Sequence, residues 1–182
     1  MSLANTNKLT AMIKDAPDTA SAIGNSISSL TSQVNELKSQ KNAIQNGVCG
    51  TAKTDMIQYI TDNVLPSYPG GYIVYGSGFG SIAYGSGNIS AWSIYQDIPS
   101  PVFPFTPVPT QVYAYTPGDY PEIDQWVSDY SFGNDYITKP LTAGSTYGLS
   151  PNISLLNSGK AILQSNQDKI QNSIDVFSRY AT

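Results

Sequence analysis

The stretch Ile23-Gly-Asn-Ser-Ile27-Ser-Ser-Leu30-Thr-Ser-Gln-Val34-Asn-Glu-Leu37 sets an apolar side chain alternately four and three residues after the one before. Lys41, Ile44 and Val48 continue the alternation. A helix turns once in about 3.6 residues, so this spacing gathers the residues into one stripe, the a and d seam of a heptad repeat. The seam also runs back through Ala20, Ala16, Ile13 and Leu9, with Pro17 interrupting it. Proline lacks the amide that a helix interior uses. The expectation is a short first helix, then a long one over about residues 18–47, capped by Asp18 or Thr19 and ended at Gly47 and Gly50.

The other end of the chain has the same design. Ile153, Leu156, Lys160, Leu163, Gln167, Ile170, Ile174 and Phe177 keep the alternation, and Pro151 stands where a first helical turn accepts proline. The two long helices, about 18–47 and 151–180, would each measure about 45 Å. The expected packing residues are Ile23, Ile27, Leu30, Val34, Leu37 and Ile44 on the first, and Ile153, Leu156, Leu163, Ile170, Ile174 and Phe177 on the second. The flanking e and g positions are nearly uncharged, Lys38 excepted. Ion pairs therefore do not select the partner, and specificity falls to the polar a residues Lys41, Lys160 and Gln167 or to a fixed place in an assembly. An intramolecular antiparallel hairpin satisfies the seam, and so do parallel bundles of like helices from several copies. Connection through one chain gives the hairpin the advantage of proximity.

From Thr54 to Thr138 there is no Lys or Arg, but there are eight acids: Asp55, Asp62, Asp97, Asp119, Glu122, Asp124, Asp129 and Asp135. That segment carries −8 and the remainder, with nine bases against five acids, carries +4. An acidic surface repels phosphate, so no nucleic acid is expected as a partner. The chain has no histidine, which removes Ser-His-Asp and Cys-His chemistry, and Cys49 stands alone, which removes an internal disulfide and a multi-cysteine zinc site. No metal or cofactor is expected. The first residues, Met-Ser-Leu-Ala-Asn-Thr-Asn-Lys, lack an apolar signal core, and no run reaches the roughly 20 apolar residues of a membrane span. Synthesis in the cytoplasm without a secretory signal is the expectation.

The pattern changes at Gly50. A short helix over about 54–65, with Met56, Ile57, Ile60 and Val64 on one side, is predicted to stop at Pro66 and Pro69. Short β runs separated by Gly-Ser turns follow, at Gly71–Tyr75, Phe79–Ala83 and Ile89–Tyr95, with Tyr-Gly-Ser-Gly at 75–78 and again at 84–87. Gly76, Gly78 and Gly80 match neither a dinucleotide fingerprint nor a Walker loop, so they read as turn glycines. Pro101, Pro104 and Pro107 fall every third residue, which favours a polyproline II strap whose Val102, Phe103, Phe105 and Val108 pack across the sheet. Asp119–Tyr130 reads as a short amphipathic helix with Ile123, Trp126, Val127 and Tyr130 on one face. Paired carboxylates among Glu122, Asp124, Asp129 and Asp135 would suit glycoside cleavage at the right separation, against the simpler reading of a solvated acidic face. Trp92, Trp126, Tyr113 and Tyr115 are candidates for a glycan or receptor site, since aromatic faces beside polar groups suit sugars; the alternative is that they fill the core.

Together these give an α+β chain in three parts: an N-terminal helical arm (1–50), a Tyr/Gly/Pro-rich β domain (51–150) and a C-terminal helical arm (151–182). The uncharged Gln/Asn/Ser-rich heptads and Tyr-Gly-Ser strands resemble structural proteins of tailed-phage virions, such as fibre, neck and baseplate components. The resemblance implies a multi-copy virion part, made in the host cytoplasm, whose helices dock to other copies or other virion proteins while the β domain faces neighbours or the outside. The terminal-helix plan is also similar to that of flagellin-like filament subunits. A carbohydrate-binding module and a glycan-cleaving enzyme are the readings from other classes.

Overall fold

The computed structural model describes residues 3–82, 87–139 and 148–180, with the side chains of Asn5, Thr6, Leu9, Met12 and Ile13 outside that description. The seam positions Leu9 and Ile13, Ala83 at the end of the predicted strand from Phe79, and residues 84–86 of the second Tyr-Gly-Ser-Gly run therefore lie outside it. The fold mixes helix and antiparallel sheet: α1 (Leu3–Ile44), α2 (Gly50–Tyr59), β1 (Tyr72–Tyr75), β2 (Trp92–Pro99), β3 (Pro107–Ala114), α3 (Pro121–Thr138) and α4 (Leu149–Ser178). The chain divides into two compact units, Met1–Lys38 with Asn152–Thr182, and Ser39–Pro151.

In the first unit the expected break at Pro17 does not occur, because α1 runs unbroken through it. Pro17 is exposed, while Ala16 and Ala20 beside it meet α4, so packing on both sides offsets the one hydrogen bond that proline forfeits. Asp18 and Thr19 cap nothing, and Thr19 Oγ1 instead donates to the carbonyl of Asp15 within the helix at 3.2 Å. Ala16 lines a groove with Ile170, Ser173 and Phe177, and Ala20 accepts a hydrogen bond from Gln167. Over this stretch, early residues of α1 meet late residues of α4.

The second unit holds the main core. Gly47 and Gly50 do not end the helix as expected. Gly50 is right-handed, with φ −66°, and a wide π turn over Gln45–Cys49 leads directly into α2. The reason lies in burial: Cys49, Ala52, Met56, Ile60 and Val64 all face the core. Four residues overshoot an α-helical turn by about 40°, so such a stripe would drift around the helix. The π turns at Gln45–Cys49 and Ile60–Val64 hold more residues per turn and return the stripe to one side. The run then ends as predicted near Pro66, in a tight 3-10 turn over Leu65–Ser67.

The sheet has order β1-β2-β3, all antiparallel, with Tyr72 opposite Tyr95, Tyr75 opposite Trp92 and Pro99 opposite Pro107. The predicted strand from Phe79 is instead a turn with one bridge from Phe79 to Asn88, because Gly78 and Gly80 at φ +75° and +66° curl the chain away from extension. The polyproline strap is likewise corrected. Residues 99–109 form the end of the β2–β3 hairpin, and Val102, Phe103, Phe105 and Val108 are exposed, Phe103 by 81 %. Prolines at 107 and 109 are accepted because β3 is an edge strand with only one partner.

The helix expected to end near Tyr130 continues to Thr138. Pro121 occupies its start, and Glu122 and Asp124 favour the positive end of its dipole. Gly133 does not stop it, because it marks a close approach: a methyl group there would lie 2.7 Å from Cys49 Sγ. Ile123, Tyr130, Gly133, Asn134 and Ile137 of α3 are buried, and Ile123 and Tyr130 close the core over Ile89, Trp92 and Ile94.

Candidate functional site

The expected helix-packing residues keep one face. Ile23, Ile27, Leu30, Leu37, Ile153, Leu156, Leu163, Ile170, Ile174 and Phe177 are half-buried, and Val34 is buried. Ile44 belongs to the second unit and packs against its core. Among the polar a residues, Gln167 has a definite partner: its Nε2 donates to the backbone carbonyl of Ala20 at 3.0 Å. Gly24 admits it, since a methyl group there would come within 3.0 Å of that nitrogen. One amide thus ties a given turn of α4 to a given turn of α1, the register-setting use of a polar seam residue.

A second stripe was not recognised from the sequence. Leu155, Ile162, Lys169 and Val176 recur every seven residues on α4, at the c positions on the side of the helix away from the seam. Leu155 is 66 % exposed and Ile162 62 %, with Val176 also exposed. The signal was present as a constant heptad interval, but a search for the a and d alternation passes over it. No helix among the described residues is long and apolar enough to cross a membrane, so this stripe is not part of a helical span.

The aromatic candidates fall together in the second unit. Trp92 is 4 % exposed and stacks on Tyr115 at 5.6 Å, with Tyr113 also 5.6 Å away. Tyr113 leads to Tyr120, Tyr120 to Tyr59 and Tyr59 to Trp126, with centroids 5.6–6.2 Å apart. The four candidates are therefore members of one aromatic array built on the core.

Three of the acids are tied to the same array, and others have partners outside it. Tyr59 donates to Glu122 at 3.3 Å, Tyr72 to Asp97 at 3.2 Å, Tyr113 to Asp119 at 2.8 Å and Tyr115 to Asp124, which also accepts the Gly118 amide at 3.0 Å. Gln58 serves Asp62 and Gln125 serves Asp129, while Asp135 pairs with Lys139 at 2.9 Å. In a segment without Lys or Arg, phenols and amides take the place of cations as partners for carboxylates. The carboxylates considered for glycoside cleavage each have a separate structural partner.

Burial and the adjoining Asp119 hold the Tyr113 phenol well above its ordinary range, and burial and Asp124 do the same for Tyr115. Burial, with the Cys49 thiol nearby, pushes Tyr130 up to about 12. A phenol whose folded pKa is raised contributes stability that is complete below its unfolded value, about 10, and is lost as pH rises through the folded value. The protein is accordingly expected to lose stability progressively as pH rises above about 10, its urea midpoint falling steadily, with Tyr113, Tyr115 and Tyr130 ionising only as the fold is lost. Titration of Tyr113, Tyr115 and Tyr130 near about 10 in a chain that stays folded would contradict this assignment.

Comparison with protein-family models, with curated proteins and with solved structures yielded no match.

Proposed function

We propose that this protein is a structural component of a multi-subunit assembly, docking through its terminal helices and presenting the sheet-bearing unit to its surroundings. The observation that carries the reading is the outer stripe of α4. Leu155, Ile162 and Val176, on one heptad line that Lys169 interrupts, stay in water although the chain has folded its helices. A soluble protein exposes single apolar residues freely, but a ruled stripe matches the contact surface of another helix. In this reading α1 and α4 form an antiparallel coiled coil, and the stripe takes a helix of a neighbouring subunit. The nearly uncharged e and g positions fit a place fixed by the assembly rather than partner choice in solution.

The setting that best fits the composition is a phage virion, in a fibre, neck or baseplate, with no catalytic role. The contact of N- and C-terminal helices also suits a filament subunit. Electron microscopy separates the two, since homopolymeric filaments would favour the second.

The reading is tested by light scattering of the full-length chain across a concentration series. The wild type is expected as a multimer, and Leu155→Ser with Ile162→Ser is expected to shift it to smaller species at unchanged helicity. A multimer indifferent to the double substitution would remove the role given to the stripe. A strictly monomeric chain that joins no particle when produced with its genomic neighbours would end the assembly reading itself.

A further inference from the structure

A pocket of about 620 Å³ opens between α2 and the turn after β1, lined by Lys53, Ile57, Tyr75, Gly78, Phe79 and Ser81 among others. Its volume lies within the range of small-molecule clefts. The wall is aromatic. The rings of Tyr75 and Phe79 lie 4.4 Å apart, and Tyr75 remains 43 % exposed. The turn is held in place: the Gly78 carbonyl accepts the amides of Ser81 and Asn88, the Gly76 carbonyl accepts that of Phe79, and the Ser81 carbonyl accepts the Tyr130 hydroxyl at 2.8 Å. This wall is therefore tied directly to the core.

Lys53 is the only cation between Lys41 and Lys139. Its stem crosses Gly80, where a methyl group would lie 2.7 Å from Cε and Nζ, and its Nζ stands 5.7 Å from the centre of the Phe79 ring. Among the described residues, the ion pair belongs to Lys139 and Asp135 rather than to Lys53, although the acids are many. Most of those acids are already engaged by tyrosine, glutamine and Lys139. The pocket thus combines one cation, an aromatic wall and a serine.

We infer that this pocket binds an acidic sugar, a pyranose ring carrying one carboxylate. The carboxylate pairs with the Lys53 ammonium, the apolar face of the ring lies on the exposed Tyr75, which Phe79 backs, and ring hydroxyls meet Ser81 and the turn backbone. The charge balance selects a monoanion. The unit formed by 39–151 has three lysines against eight acids, a net −5, so a phosphate dianion gains one ammonium while facing an acidic surround. A neutral sugar, conversely, leaves the one cation unused. This binding activity does not depend on the assembly reading.

The test is a titration of the ¹⁵N-labelled full-length chain with methyl β-D-glucuronide and with N-acetylneuraminic acid. Methyl β-D-glucoside and sodium acetate are the neutral and sugar-free controls. Shifts from at least one acidic sugar are expected at Lys53 and residues 75–81, with acetate and the glucoside at least about tenfold weaker, about 1.4 kcal/mol. Lys53→Met, which keeps most of the stem, is expected to weaken binding by a similar factor while leaving the rest of the spectrum in place, and Lys53→Arg to retain it. Binding of the glucoside as tight as that of the glucuronide would overturn the proposal. So would acetate reproducing the shifts, Lys53→Met binding like wild type, or no shift from either acidic sugar.

Discussion

Gly148→Ala is expected to lower the unfolding free energy by about 3 kcal/mol or more, as measured by urea denaturation. Gly148 has φ +99°, and an added methyl group would stand 1.9 Å from the Lys139 carbonyl oxygen. Backbone, not a side chain that can swing away, occupies the space. The Gly148 amide also donates to the Tyr136 carbonyl at 3.0 Å, so moving the residue to relieve the clash sacrifices the bond that ties the start of α4 to the end of α3. Gly148→Asn separates the two causes. Asparagine tolerates positive φ better than alanine but meets the same carbonyl, so it should be no milder. A loss below about 1 kcal/mol in both variants would show that this connection yields more readily than its geometry requires.

The second large effect is a change of sign. Gly133 lies inside α3, where alanine gains about 1 kcal/mol of helix propensity over glycine. Its added methyl group would also press on Cys49 Sγ at 2.7 Å, an overpacking cost of about 1–3 kcal/mol. Packing should win, making Gly133→Ala destabilising in the wild type. In a Cys49→Ala background the obstructing sulfur is gone, and the same substitution should become neutral or stabilising. The resulting double-mutant coupling is expected at about 1–3 kcal/mol. Additive effects would mean that the π turn over Gln45–Cys49 and α3 are not in contact through this pair.

What the sequence disclosed was what repeats locally. The alternation from Ile23 to Leu37 survives as the half-buried face of α1 because helix periodicity depends only on neighbours a turn away. Local signals failed where distant contacts outweighed them. Pro17, Gly47 and Gly50 carry the usual marks of helix ends, yet packing on α4 and burial of Cys49 and Ala52 carry the helix through them. The three-residue spacing of Pro101, Pro104 and Pro107 suggested a strap, whereas pairing of β3 with β2 places those residues at a hairpin end.

The candidate sites follow the same division. The Leu155, Ile162 and Val176 stripe was legible as a heptad and was overlooked only because it is not the main seam. The Lys53 pocket was not legible, since Lys53 and Phe79 are 26 residues apart and meet only through the fold. The carboxylate partners divide by distance: Tyr113 with Asp119 and Tyr115 with Asp124 are separated by 6 and 9 residues, but Tyr59 and Glu122 by 63.

The replacement of cations by phenols as carboxylate partners also bears on how the chain is cut and labelled. Trypsin needs Lys or Arg, and none lies between Lys53 and Lys139. Because trypsin does not cut the bond between Lys139 and Pro140, a complete digest, even of the unfolded chain, leaves residues 54–160 in one piece, carrying the whole sheet and all of α3. Amine-directed cross-linkers are likewise blind to that piece except at Lys139 and Lys160. Contacts made by the sheet in an assembly would have to be mapped through its carboxylates or tyrosines.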